Sequence, residues 1–250
     1  MSAGRRLHPA RVEHSPSLPA GRERLVVFAR APSPGRVKTR LTPPLTPAQA
    51  LVLHQALVED TLERLGRWTR AGLERWLYLS EAPSGLQLDV SPAWRSTVQT
   101  GDDLGERMKR AFRQAYEDGL DRVVILGSDS PTLPLDYVGQ AFDALGTNDV
   151  VLGPADDGGY YLVGTSVLVP EMFRGISWGS SRVLDQTTDA LSRAGRSFRL
   201  LPFWYDVDTA EDLLHLEKEL ERLRSVGLPE FPRRTAAAVS SFFGKGKNTS

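Results

Sequence analysis

Arg122-Val-Val-Ile-Leu-Gly-Ser-Asp129-Ser-Pro131 decides how the rest of this chain is read. Val123 to Leu126 is too short for an isolated helix and rich in β-branched residues, which predicts a buried strand. Gly127 ends the run, and Pro131 has no N–H with which to continue a ladder. Asp129 therefore follows the carboxyl end of a core strand, the edge at which ligands bind in open α/β sheets. A carboxylate there is a candidate metal ligand. Its competing role is to accept backbone N–H groups in a turn.

Outward from this strand, short apolar runs alternate with helical patterns. Strands are predicted at Leu25 to Ala29, Leu73 to Leu79 and around Thr97-Val98-Gln99 on the upstream side. Downstream they fall at Val150 to Leu152, Tyr160 to Gly164 and Phe198 to Phe203. Helices are predicted from Pro47 with Thr46 as N-cap, then over Asp103 to Tyr116, Leu135 to Leu145, Ser181 to Arg193 and Ala210 to Leu223. This alternation predicts a single α/β domain of three layers, α/β/α, around a mostly parallel sheet.

Composition narrows the function classes. Lys plus Arg balances Asp plus Glu at 31 each in 250 residues, so no overall charge points to nucleic acid or to a membrane surface. There is no cysteine, which removes disulfides, thiolate metal sites and a cysteine nucleophile. The four histidines are scattered, against a histidine-rich zinc site. No apolar stretch reaches membrane-spanning length. Residues 1–23 carry basic residues and prolines without an apolar signal core, and are expected to be a disordered extension. Residues 227–250 are expected to be a flexible tail. A cytoplasmic location is the corresponding expectation, and the absence of a heptad seam leaves oligomeric state open.

Four further segments could carry chemistry. After the first strand, Arg30, Gly35, Arg36, Lys38 and Arg40 lie in one loop. Arg grips phosphate oxygens in a planar fork, Lys acts as a point charge, and a glycine loop exposes N–H groups, so this is a candidate diphosphate or triphosphate cradle. A solvated basic loop is the alternative. The spacing is not that of a Walker loop. In Gly101-Asp-Asp-Leu-Gly105-Glu-Arg107, the glycines and Arg107 are nucleotide-pocket candidates, while Asp102 or Asp103 caps the next helix. Asp206 and Asp208 follow another strand; Asp208 is a potential N-cap with Glu211 three residues on, leaving Asp206 the freer acid. Asp129 with these acids suits Mg²⁺ or Mn²⁺, which take oxygen ligands and often only one or two protein carboxylates beside phosphates. Finally, Asp156-Asp157-Gly158-Gly159-Tyr160 reads either as a hairpin turn or as backbone passing close to a ligand.

Taken in order, Phe28-Ala-Arg-Ala-Pro-Ser-Pro-Gly-Arg-Val-Lys-Thr-Arg-Leu41, Gly101-Asp-Asp-Leu-Gly-Glu-Arg-Met108, Gly127-Ser-Asp-Ser-Pro131, Gly153-Pro-Ala-Asp-Asp-Gly-Gly-Tyr-Tyr161 and Asp206-Val-Asp-Thr209 resemble the DUF2064 family. These are bacterial proteins of the nucleotide-diphospho-sugar transferase superfamily, with the glycosyltransferase A (GT-A) fold. The resemblance spans about Arg24 to Leu223 and implies a transferase domain over residues 24–226. Asp129 stands at the second acid of the GT-A Asp-x-Asp motif, with Gly127 in place of the first.

What the resemblance implies is a metal-dependent transfer of a sugar from a nucleotide diphosphate donor to a small acceptor. Arg30, Lys38 and Arg40 would hold the phosphates, and Asp129, Asp206 and Asp208 the ion. Asp157 would be the acceptor base, with Gly158, Gly159, Tyr160 and Trp178 shaping the acceptor pocket. The Arg-Val-Lys-Thr-Arg-Leu loop is also similar to the Lys-Ser-Arg-Leu loop of phospholactate guanylyltransferases, which share the fold and an Asp-Val-Asp-Thr-like ending. That likeness implies the alternative: nucleotidyl transfer from an NTP to a small phosphate or acid, releasing pyrophosphate. A non-catalytic nucleotide-binding protein on the same fold is the third possibility.

Overall fold

Glu23–Ala29 form β1, and all seven residues are buried, as a strand covered on both faces requires. The polar residues at its amino end are paired: Glu23 with Arg70 and Arg122, and Arg24 with Glu74 and Asp118. In this computed structural model, which describes residues 22–82 and 88–243, β1 sits inside a seven-stranded sheet. The other strands are β2 (Glu74–Leu79), β3 (Arg95–Val98), β4 (Arg122–Gly127), β5 (Val150–Pro154), β6 (Tyr160–Thr165) and β7 (Phe198–Leu200). Their spatial order is β3-β2-β1-β4-β6-β5-β7. The pairs β3–β2, β2–β1, β1–β4 and β5–β7 are parallel, while β6 runs antiparallel to both β4 and β5. The tight turn after β5 returns the chain as a hairpin, which fixes that one reversal.

The expected three layers are present. On one face α1 (Pro47–Arg67) and α3 (Leu135–Ala144) bury Val58, Leu62, Leu65, Val138, Ala141 and Phe142 against Leu25, Val27, Val124 and Leu126. On the other, α2 (Leu104–Glu117) and α4 (Val183–Arg193) place Met108, Phe112 and Leu191 against Val26, Val123 and Ile125. Thr46 caps α1 in a capping box with Gln49, and Asp103 caps α2 through the Glu106 N–H. Among the described residues no helix is long and apolar enough to cross a membrane.

Three expectations need correction. The expected tail from 227 contains a helix, α6 (Arg233–Phe243), which buries Thr235, Ala236, Ala238 and Val239 beside α1 and α5 (Ala210–Ser225). Its start is held from a distance, because buried Asp60 of α1 accepts the Arg234 and Thr235 N–H groups at 3.2 and 2.7 Å. That cap is 175 positions away in sequence, so no local pattern announces it. Residues 1–21 of the expected extension and 244–250 of the expected tail lie outside the described residues. Asp208 is not the cap of α5: Thr209 is, in a capping box with Asp212 one register later, so Asp208 is left for other partners. Lastly, β7 stops at Leu200: after the Leu201 N–H donates to Leu152 O the register slips by one, and Trp204 rather than Phe203 donates to Pro154 O.

Candidate active site

The carboxyl ends of β1, β2, β3 and β4 open into one cleft of about 730 Å³, within the range of small-molecule sites. Lys38 forms its floor. Its side chain is 4% exposed, and its Nζ lies 2.8 Å from Asp129 Oδ1 and 2.9 Å from Asp208 Oδ1. Arg40 reaches to 3.9 Å of the other Asp208 oxygen. Burial alone would lower the Lys38 pKa, but the two carboxylates outweigh it and raise it, so the ammonium is charged. Asp129 shows the reverse: burial would raise its pKa, but Lys38, His54 and Arg30 hold it below the ordinary value.

Several contacts bring the two acidic segments together. The Val207 N–H donates to Asp129 O at 3.0 Å, Ser130 Oγ donates to Asp206 Oδ1, and Thr132 Oγ1 meets Tyr205 Oη at 2.8 Å. The loop after Asp129 is held from behind by buried Arg64 of α1, which donates to Pro131 O and, at 2.9 Å, to Leu133 O. Asp206 sits just behind Asp129. Burial pushes its pKa up to about 7, with the Ser130 hydroxyl opposing and the Asp129 charge adding to the rise.

Arg30, Arg36, Lys38, Arg40 and Arg107 all line the cleft, so the sequence-predicted cations converge. The other predicted residues are placed differently. Gly35 and Gly101 supply turns at φ of 70° and 139°, and Gly101 O accepts the Arg107 Nε–H at 3.1 Å. Gly105 is a packing position, since a Cβ there would come within 2.6 Å of the Trp178 indole. Asp157 is exposed, and its Oδ1 accepts the Gly159 N–H at 2.8 Å. Gly158 packs on the Ser181 backbone, and Tyr160 meets Trp178 edge-on at 6.4 Å. Asp157, Gly158, Gly159, Tyr160 and Trp178 form a stitched loop cluster, and none of them lines the cleft.

The cleft also includes residues that the sequence reading passed over. Ser80, Glu81 and Gln99 line it directly after β2 and β3. The strand-end rule that found Asp129 would have found them. His54 lines it from α1, 2% exposed, with Nε2 at 3.0 Å from Arg30 O and no partner for Nδ1 among the described residues. Burial lowers its pKa. Inside an amphipathic helix it carries no signal distinguishing it from a core residue.

Residues 61–180 match a family described as an uncharacterised protein conserved in bacteria, DUF2064. The curated 2-phospho-L-lactate guanylyltransferase of Methanothermobacter thermautotrophicus is 29% identical over 180 residues, covering 70% of this chain and 76% of that protein. A CMP:2-keto-3-deoxy-manno-octonic acid synthetase solved with CTP is similar in fold alone, at 13% identity and a TM-score of 0.50, over 80% of this chain and 99% of the other. A crystal structure of a candidate nucleotide-diphospho-sugar transferase from Desulfovibrio desulfuricans G20 is 33% identical, with a TM-score of 0.78, covering 89% of this chain and 99% of that one. On that likeness, and on the motif order around the Lys38 cleft, the chain belongs to the DUF2064 family, with the nucleotide-diphospho-sugar transferase fold.

Proposed function

We propose that this protein is a nucleotide-utilising transferase, and that its reaction is nucleotidyl transfer to a small acceptor bearing a phosphate or carboxylate. The observation that carries the reading is the Lys38 ammonium set between Asp129 and Asp208 under a cleft lined by four arginines. Five cations against three carboxylates in the lining leave an excess of two positive charges to meet a phosphate chain. An acceptor oxygen attacks the α-phosphorus, the bond from that phosphorus to its bridging oxygen breaks, and pyrophosphate leaves with the electron pair. Lys38 and the arginines bear the charge that gathers on the leaving group.

The cleft favours an acceptor that is already an anion. A sugar hydroxyl needs a base, yet the carboxylates lining the cleft are engaged: Asp129 and Asp208 with Lys38, and Glu81 with Arg36 at 3.2 Å. Asp157 lies outside it. A phosphate or carboxylate nucleophile needs no deprotonation. The guanylyltransferase relative supports the same reaction class.

Among the described residues no three His, Asp or Glu side chains converge as a ready-made metal cage. Mg²⁺ or Mn²⁺ beside substrate phosphates needs only one or two carboxylates, and Asp129, which lines the cleft, would be the first to hold it, whereas Asp206 stands outside the lining on Ser130. Asp129 and Asp208 both already face Lys38, so either would share its carboxylate between the ion and the ammonium. When bound, such an ion would add positive charge at the phosphate oxygens.

Glycosyl transfer from a nucleotide sugar is the second reading, favoured by the description of the Desulfovibrio protein. Incubating the full chain with Mg²⁺, each NTP and a set of small phosphate and carboxylate acceptors separates the two. Acceptor-dependent pyrophosphate release is expected. Release of nucleoside diphosphate from a sugar nucleotide, with no pyrophosphate from any NTP, would replace nucleotidyl by glycosyl transfer.

A further inference from the structure

A second cavity, of about 340 Å³, lies outside the cleft, between the carboxyl end of edge strand β3 and the exposed side of α2. Arg107, Arg110 and Arg113 line it, together with the hydroxyl residues Thr97 and Thr100. The three arginines recur at intervals of three along one helix, where like charges repel one another. The neighbouring acids do not relieve this. Glu106 is taken by Lys109, and Asp118 by Arg24 and Gln114, which leaves Glu117 as the one carboxylate in the lining among the described residues. The cavity therefore holds an excess of two positive charges in a concave space.

The guanidinium groups are partly prepared for a ligand. Arg107 Nε is fixed on Gly101 O at 3.1 Å, which orients the group and leaves both terminal nitrogens to serve an anion. Arg110 and Arg113 form no ion pair within 4 Å among the described residues. Forked guanidinium donors together with threonine hydroxyls suit a tetrahedral oxyanion.

The geometry points to a second anion site, for the phosphate group of a small phosphorylated molecule, built by Arg107, Arg110 and Arg113 and distinct from the nucleotide cleft. It lies over β2 and β3, shares only Arg107 with the nucleotide cleft, and does not include Asp129 in its lining. It is not the seat of the attacking acceptor. Arg107 borders both cavities, and an anion in the smaller one draws on the same guanidinium that faces the cleft. The two ligands are thereby coupled, and the coupling is reciprocal.

Inorganic phosphate at constant ionic strength is the probe, with binding followed by calorimetry or ³¹P line broadening on the full chain. Four forms are compared: wild type, Lys38→Met/Arg40→Ala, Arg110→Ala/Arg113→Ala, and the two pairs combined. Arg110 and Arg113 are exposed, and circular dichroism verifies that their variant folds. The second site predicts that phosphate binding persists in Lys38→Met/Arg40→Ala and weakens at least tenfold when Arg110→Ala/Arg113→Ala is added to it. Adding NTP should leave Arg110→Ala/Arg113→Ala with wild-type nucleotide affinity in phosphate-free buffer. If removing Lys38 and Arg40 abolishes all phosphate binding, or removing Arg110 and Arg113 changes none of it, there is no second site. The nucleotidyl-transfer reading rests on the other cavity and is judged separately, by acceptor-dependent pyrophosphate release.

Discussion

Lys38 combines two unusual properties. Its backbone is left-handed at φ 49°, a region that non-glycine residues rarely occupy, and its ammonium is buried between two carboxylates. The strained turn is what aims a side chain from the β1 loop at acids from two other segments, a cost that sites tend to carry. Asp206, behind Asp129, gives a testable pH dependence. Its folded pKa of about 7 lies above an unfolded value of roughly 3.9. An acid raised in this way adds nothing below the unfolded pKa, because it is protonated in both states. As pH rises toward 7 the folded state is progressively penalised, and above 7 the penalty is complete. Urea unfolding of Asp206→Asn should therefore show the variant gaining stability on wild type between pH 4 and 7, by on the order of a few kcal/mol. Parallel stability curves for the two proteins would count against this assignment.

At the scale of elements, the site depends on how segments are tied. The turn at Gly158 is one such tie: its φ is 84°, and a Cβ would meet Ser181 O at 2.1 Å. Gly158→Ala should lower stability by about 1–3 kcal/mol, read as a shift in urea midpoint at unchanged slope. Asp60, which caps α6 through two N–H groups, is another. Asp60→Ala should cost about 1–2 kcal/mol and speed proteolysis within 229–243, whereas Asp60→Asn, with one acceptor oxygen for two N–H groups, should keep one of the two bonds. Wild-type protease resistance in Asp60→Ala would show that α6 is held by its apolar face alone.

These ties also explain what was legible in the sequence. The β4 run with its Gly-Ser-Asp ending, the alternation of strands and helices, and the basic loop after β1 follow local rules of period and charge, and the structure places them where those rules predict. The α6 helix was not legible, because its buried residues are small (Thr235, Ala236, Ala238) and its cap comes from α1. Gly105 and Gly158 looked like ligand-facing glycines but serve packing against Trp178 and Ser181, a distinction that depends on partners distant in sequence. His54 is hidden in an amphipathic pattern for the same reason.

On the scale of the whole molecule, the parallel half of the sheet collects the cations. β1, β2, β3 and β4 run the same way, so four loops open at one edge, and four arginines and a lysine meet there in a protein of zero formal net charge. The local field, rather than the overall charge, is what would draw an anionic nucleotide. The central claim is that this edge grips the phosphates through Lys38, and calorimetry can isolate that grip. GTP, the other NTPs and the corresponding nucleosides are titrated into wild type and Lys38→Met, with folding of the variant verified by circular dichroism. The account predicts that the best-bound triphosphate loses at least ~30-fold in affinity in Lys38→Met, ~2 kcal/mol at ~1.4 kcal/mol per tenfold, while nucleoside binding is unchanged. Equal triphosphate affinity in the two proteins would contradict it.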